Sequence, residues 1–352
     1  MLLRSLLPVF GFFSLIGATP TKAGDSHASL QQAFGVADLR AAIANARPNS
    51  RVDIPAGVYD LGNQGIRIED KRNVTIVGAG EGKTILRAGP SAAYILELAG
   101  SNYNLTVANM SLEGATSLEK NTHGLASGSD RMNLSGARFH DLDIRNVAVG
   151  ISVVGSGTGY CDDVQITNNH LDNIQDVIRN GVTSGSGYGI HNDGCSNVRI
   201  AGNLIRNADR HSIYQASAYQ PDRPRATGSV VIEHNLIIDH AKTSSLHNDW
   251  LVAISVARSS NVTVANNEIV NPYHDAISIE DPPDEGRTYT VRNVRLIDNT
   301  VRGGRGADVF LTASGSFISS GNRFYHGDSQ TPSAPVIRRD GAGVSGRLIS
   351  ND

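Results

Sequence analysis

The sequence predicts an all-β, single-domain parallel β-helix, a solenoid of stacked three-strand coils. Three observations carry this expectation. Short phrases recur at a spacing of about 30 residues along nearly the whole chain, the mark of a repeat architecture. Within each phrase apolar and polar residues alternate, as they do in a strand with one face inside. Between the strands stands Asn, which tolerates left-handed backbone and bonds locally through its side chain.

The elements follow in chain order. Residues 1–23 carry one early cation (Arg4), an apolar run from Leu6 to Ile16 and small residues from Ala18 to Ala23. This is the order of a secretory signal, and the run is short for a membrane span. The mature chain is expected to be secreted or periplasmic, free of the membrane and monomeric. Residues 24–60 form an N-terminal cap and leading strand. The cap is an amphipathic helix in Gly35–Ala46, placed to cover the open end of the first coil, and the strand follows in Asp53-Ile-Pro-Ala-Gly-Val-Tyr59.

Residues 61–325 are the solenoid. Its first strands begin at Asn73, Asn104, Asn133, Asp163, Asn197, Ser229, Asn261 and Asn293. From the fourth phrase on, a second strand opens at Asn169, Asn203, Asn235, Asn267 and Asn299. Third strands centre on Ile151, Ile190, Ile213, Ile254 and Ile277. Residues 326–352, rich in Gly, Ser and Pro, are expected to close the stack as an irregular coil.

Composition sets bounds. With 39% hydrophobic and only 5% aromatic residues, the core must be aliphatic. A formal net charge of −3 provides no global basic field for nucleic acid. The two cysteines, Cys161 and Cys195, each stand three residues before a repeat Val, so consecutive coils bring them together. Adjacent strands lie about 4.8 Å apart, within reach of a disulfide in an oxidising compartment.

The N-x-[IVL]-x-N corners, the stacked short strands and the helix before Asp53-Ile-Pro-Ala-Gly-Val-Tyr59 resemble the right-handed parallel β-helix proteins of the pectate-lyase-like superfamily. The resemblance spans residues 35 to 325. It implies the fold and leaves the activity open, because that superfamily holds lyases, hydrolases, epimerases and adhesins.

Stacking turns equal offsets into columns. Before the third-strand Ile stand Gly150, Gly189, Ser212, Ala253 and Ala276, a small-residue strip expected to floor a groove. After it stand Ser152, His191, Tyr214, Ser255 and Ser278. His191 and Tyr214 are thus expected side by side, with Arg210 and His211 entering the same strand. Lys242 and the loop residues His247, Asn248 and Asp249 come from the next coil, and His274 from the one after. Asn192, Asp193 and Gln215 complete the expected substrate contacts.

Phenol, imidazole and cations suit β-elimination from a uronic-acid polysaccharide. The sugar carboxylate must be neutralised, the C5 proton removed and the leaving O4 protonated. The phrase Arg210-His211-Ser212-Ile213-Tyr214 resembles a segment of β-helical alginate and related uronate lyases. That resemblance implies Tyr214 as base or acid with Lys242 beside it, and Arg210, His211 and His191 orienting the carboxylate. Nearby cations are expected to lower the Tyr214 pKa.

The expected substrate is therefore an acidic, alginate-like polysaccharide. A hydrolase would use a carboxylate pair from Asp193, Asp249, Asp275, Glu280, Asp281 and Asp284. An epimerase would share the proton abstraction, and a binding or adhesive β-helix would need none of this chemistry. No resident metal or redox cofactor is expected. Calcium, if used, would seek Asp162 and Asp163, or the loop Asp281-Pro-Pro-Asp284-Glu285.

Overall fold

The computed structural model describes residues 34–127, 132–155, 159–180, 182–217, 228–242, 251–281, 291–313, 315–327, 329–339 and 347–350. The expected signal segment, the loop residues His247, Asn248 and Asp249, and the Asp284–Glu285 turn lie outside them. One helix, Val36–Ala44, opens the described chain. The Asp38 carboxylate takes the Gly35 N–H at 2.8 Å, satisfying one of the donors that a helix start leaves open. Leu39 and Ile43 on its inner face are fully buried.

Among the described residues, everything after the helix is strand and the turns and loops between strands. Ten third strands, from Ile66–Glu69 to Ile337–Arg339, stack in chain order as one parallel sheet. First and second strands form the opposing parallel array. The coil interior is three aliphatic columns. Ile76, Val107, Phe139, Ile166, Ile200, Ile232, Val264 and Leu296 stack in register as the first. Leu112, Ile144, Leu171, Ile205, Ile237, Ile269 and Val301 make the second. Leu125, Ile151, Ile190, Ile213, Ile254 and Ile277 make the third. All these side chains are buried, so the stack is one continuous dry core.

The corners divide the work of Asn. At the first-strand corners Asn73, Asn104, Asp163, Asn197, Asn261 and Asn293 hold φ between 50° and 59°, where Asn and Asp are favoured among residues with a Cβ. At the second-strand corner the left-handed residue is the one before the recurring Asn: Asn168, Gly202, His234, Asn266 and Asp298. The recurring Asn itself turns inward. Asn169, Asn203, Asn235, Asn267 and Asn299 are buried, and each donates its Nδ2 to the Oδ1 of the next at 2.9 Å, ending on Asn322. This ladder answers the backbone groups that a corner exposes to the core.

Cys161 and Cys195 are bonded, with Cα atoms 4.6 Å apart on consecutive coils. The chain after Phe324 keeps adding rungs. Ile337–Arg339 pairs with Val309–Leu311, and Arg347–Ser350 with Ser316–Ser320. No helix among the described residues is long and apolar enough to cross a membrane.

Candidate active site

Ser152, His191, Tyr214, Ser255, Ser278 and Phe310 are successive Cα partners in the third-strand sheet, and of these six His191 and Tyr214 alone are not fully buried. The His191 and Tyr214 rings stand 5.3 Å apart between centroids. Both are half-buried, while Ile190 and Ile213 beside them are wholly inside.

Two further rings complete the cluster. Tyr188 stacks on His191 at 5.2 Å, and His211 stacks on Tyr214 at 5.1 Å. Tyr188 also faces His211 and Tyr214, each at 5.4 Å. The strand bends at Gly189 and Ser212, so residues three apart return to the same outer face. Tyr188-Gly-Ile-His191 and His211-Ser-Ile-Tyr214 are thus the same phrase with its rings exchanged. Sequence reasoning missed Tyr188; its signal was this aromatic spacing of three on two consecutive coils.

The same bend overturns the small-residue groove. Gly150, Gly189, Ser212, Ala253 and Ala276 are buried and face the core. A Cβ on Gly150 would collide with Leu171 and come within 2.5 Å of the Gly189 carbonyl oxygen. These residues are small because the second-strand side chains fill the space beneath them. Asn192 and Gln215 are likewise inside. Asn192 donates to Gln215 Oε1 at 2.6 Å, and Gln215 donates to Ser259 Oγ at 3.2 Å, so neither meets a substrate.

Lys242 is not joined to the rings by any contact among the described residues. Its ammonium bonds Asp239 at 3.0 Å. That bond first, then the Asp239 charge and Tyr273, raise its pKa. His274 lies in the electrostatic reach of buried His240, which accepts or donates to Ser212 Oγ at 3.2 Å beneath the ring strand. Asp193 is half-buried at the end of the His191 strand and acts on Tyr214 and Tyr188 through its charge.

Arg210 does reach the cluster. Its guanidinium lies 5.2 Å from the Tyr188 ring centroid and donates to the Gly185 carbonyl. His211 is only 2% exposed and its Nδ1 lies 3.1 Å from the Val252 carbonyl. It packs the floor and does not meet a carboxylate.

Burial sets the protonation states. It pulls the His191 imidazole down to about 4, helped by His123 and Arg210. His211 is pushed well below its usual value by burial and then by Arg210. Tyr214 runs against the expected direction: burial, then Tyr188, Glu280 and Asp193, raise its phenol, and Arg258 opposes them only in part. Desolvation of the charged form outweighs the cations here. At neutral pH the site therefore holds neutral imidazoles and intact phenols.

Glu280, treated in the sequence only as a hydrolase candidate, closes one side of the cluster. It is 2% exposed, and its Oε1 accepts the hydroxyls of Ser255, at 3.1 Å, and Ser278. Burial raises its pKa, against those two bonds. Asp275 belongs elsewhere, paired with Arg338 at 2.6 Å.

The candidate calcium oxygens of Asp162 and Asp163 are committed. Asp163 is held by Arg138, and Asp162 by Asn197 and the Tyr160 hydroxyl. Among the described residues one group has metal-ligand spacing: Asp143 and His170, on strands of the opposing array, with Glu81 from a turn between two strands. Arg145 already meets Asp143 Oδ1 at 2.7 Å and Ser111 meets Oδ2 at 3.1 Å. A guanidinium on that oxygen makes the group an ion-pair network, and it does not fit a cation.

Comparison with known proteins bears on the fold. A family described as right handed beta helix region matches residues 176–345. By sequence, no curated protein matches the chain. An alginate lyase from Paenibacillus sp. str. FPU-7 superposes with a TM-score of 0.58 at 15% identity, covering 86% of this chain and 97% of its own. The catalytic unit of a GH87 alpha-1,3-glucanase from Streptomyces thermodiastaticus strain HF3-3 gives 0.54 at 18% identity, covering 96% and 66%. The A-module of a mannuronan C-5 epimerase from Azotobacter vinelandii gives 0.51 at 15% identity, covering 89% and 92%. The chain is a right-handed parallel β-helix, and three different chemistries share that frame.

Proposed function

We propose that the protein is a secreted polysaccharide lyase that cleaves a uronic-acid-containing chain by β-elimination. The carrying observation is the pair of half-buried rings on adjacent coils, a neutral imidazole and an intact phenol 5.3 Å apart. The likeness to an alginate lyase and a mannuronan epimerase supports uronates as the substrate class. The N-terminal apolar segment and the disulfide support secretion.

The roles follow from protonation state. Unprotonated His191 takes the C5 proton. The electron pair passes toward the sugar carboxylate and then forms the C4–C5 double bond as the bond to O4 breaks. The Tyr214 phenol gives its proton to the departing O4. Its hydroxyl makes no hydrogen bond among the described residues, so that proton is not committed to the fold. Arg210 supplies positive charge beside the rings for the developing enolate.

The test is an assay of alginate, pectate, glucuronan and glycosaminoglycans for the ultraviolet absorbance of an unsaturated uronate. Tyr214→Phe should lower kcat/KM by about 10²–10⁴ and leave the melting temperature unchanged. Chain shortening without absorbance would identify a hydrolase. Altered C5 stereochemistry without shortening would identify an epimerase, and binding without turnover an adhesive protein. Each of these would overturn the proposal.

A further inference from the structure

The column that carries Tyr188 starts nearer the N-terminus of the stack. Tyr94, His123, Val149, Tyr188 and His211 are successive Cα partners in the third-strand sheet. At rungs of about 4.8 Å, His123 stands about 10 Å and Tyr94 about 14 Å from Tyr188 along the axis. The Tyr94 and His123 rings pack at 5.3 Å between centroids, and both are half-buried, whereas Val149 is 4% exposed. A second pair of accessible rings is thus set one aliphatic rung away from the reacting cluster. His123 is near enough for its charge to act on His191.

Neither ring has all its polar atoms committed to the fold. The Tyr94 hydroxyl makes no hydrogen bond among the described residues. His123 Nδ1 is buried without a partner, so this imidazole can be bonded from outside only through Nε2. Burial pulls its pKa down to about 4 and keeps the ring neutral at neutral pH. A sugar hydroxyl both donates and accepts, so it suits the phenol, and it suits Nε2 in either tautomer. A carboxylate only accepts and would seek a cation here. The guanidinium nearest in this sheet, that of Arg67, is already paired with Glu69 at 2.8 Å and Glu97 at 3.0 Å, and the Glu97 charge reaches Tyr94. Rings with a polar tip meet the two surfaces a pyranose offers, its C–H face and its hydroxyls.

We propose that Tyr94 and His123 form a subsite that receives a pyranose of the bound chain through its ring face and hydroxyls, on the N-terminal side of the reacting sugar. The polysaccharide then lies along the axis of the stack, and a chain too short to span the two ring pairs forgoes this contact. The subsite rests on the placement of the reaction at His191 and Tyr214 and takes no part in the elimination itself.

Stopped-flow anisotropy of fluorophore-labelled oligosaccharides reads binding before turnover. The probes run from disaccharide to hexasaccharide and are cut from alginate, pectate, glucuronan and a glycosaminoglycan. For at least one of the four, the hexasaccharide should bind about tenfold more tightly than the disaccharide, the scale of one well-made ring contact. Tyr94→Ala and His123→Ala should each remove most of that gain and leave disaccharide affinity unchanged. Affinity that does not rise with length for any of the four overturns the proposal, as does a rise that both variants keep. A matching loss of disaccharide affinity would mark the two rings as structural and overturn it too. Should Tyr94→Ala not fold, Tyr94→Phe keeps the ring and must still weaken the hexasaccharide at least about twofold, for the lost hydroxyl bond, and spare the disaccharide. A length dependence that the variants remove, without any unsaturated product, would sink the lyase reading and leave the subsite standing. Unsaturated product with affinity independent of length would do the reverse.

Discussion

Replacing Asn235 by Ala tests whether the inward Asn column holds the coils together. Asn235 is 1% exposed. Its Nδ2 donates to the Ile200 carbonyl at 3.0 Å and to Asn267 Oδ1 at 2.9 Å. Its Oδ1 accepts the Asn203 backbone N–H at 3.0 Å and Asn203 Nδ2 at 2.9 Å. The substitution leaves two buried donors of Asn203 without an acceptor, each costing about 1–3 kcal/mol. Asn267 Oδ1 keeps the Asn235 backbone N–H at 3.0 Å, so that side loses less. The expected destabilisation is about 4 kcal/mol, at the upper end for a single substitution. Urea unfolding followed by circular dichroism measures it. Asn293→Gly is the matched control, because Asn293 is exposed, left-handed and bonded only at the surface to Asn261. It should cost less than about 1 kcal/mol, since exposed bonds exchange with water. An Asn235→Ala protein within about 1 kcal/mol of the parent would refute the ladder as a structural element.

Further outcomes follow from the same geometry. Gly150→Ala should destabilise by about 1–3 kcal/mol through overpacking against Leu171; a neutral result in thermal melts would return the small strip to the outside. Native His123 and His191 have pKa values of about 4 and His240 of about 3, below the unfolded value near 6.5. The unfolded chain then binds more protons below that pH, so stability is full above about pH 6.5 and is lost as pH falls toward the native values. Melting temperature against pH reads this, and a flat profile between pH 7 and 4 would contradict it. With His191 as base, kcat/KM should hold through about pH 5 and fall near about 4, because that limb reports the free enzyme; a fall centred near 6.5 would remove His191 from the role.

Much of the protein was legible in its sequence because a solenoid makes distance along the chain into distance in space. The spacing of phrases placed His191 beside Tyr214 and Cys161 beside Cys195, and the alternation placed the aliphatic columns inside. Those inferences need only a repeat length and a strand period. The first error, the small-residue groove, comes from the bend at Gly189 and Ser212. Strict alternation puts the residue before Ile213 outside, whereas the bend turns both inward and brings Tyr188 and His211 out to join the rings. Offset also says nothing of where a long corner side chain turns, so Lys242 was misplaced; Gln215, within the strand His211–Ala216, is turned inside to Asn192 and Ser259. Charge was misjudged for a related reason: listing Arg210, His211 and Lys242 near a phenol predicts a lowered pKa, but burial, which no sequence reports, raised it. The chain by itself thus determined which coils touch. Only the tertiary structure decided which way each side chain faces and how dry its surroundings are, because backbone curvature and desolvation arise from all the packed coils together.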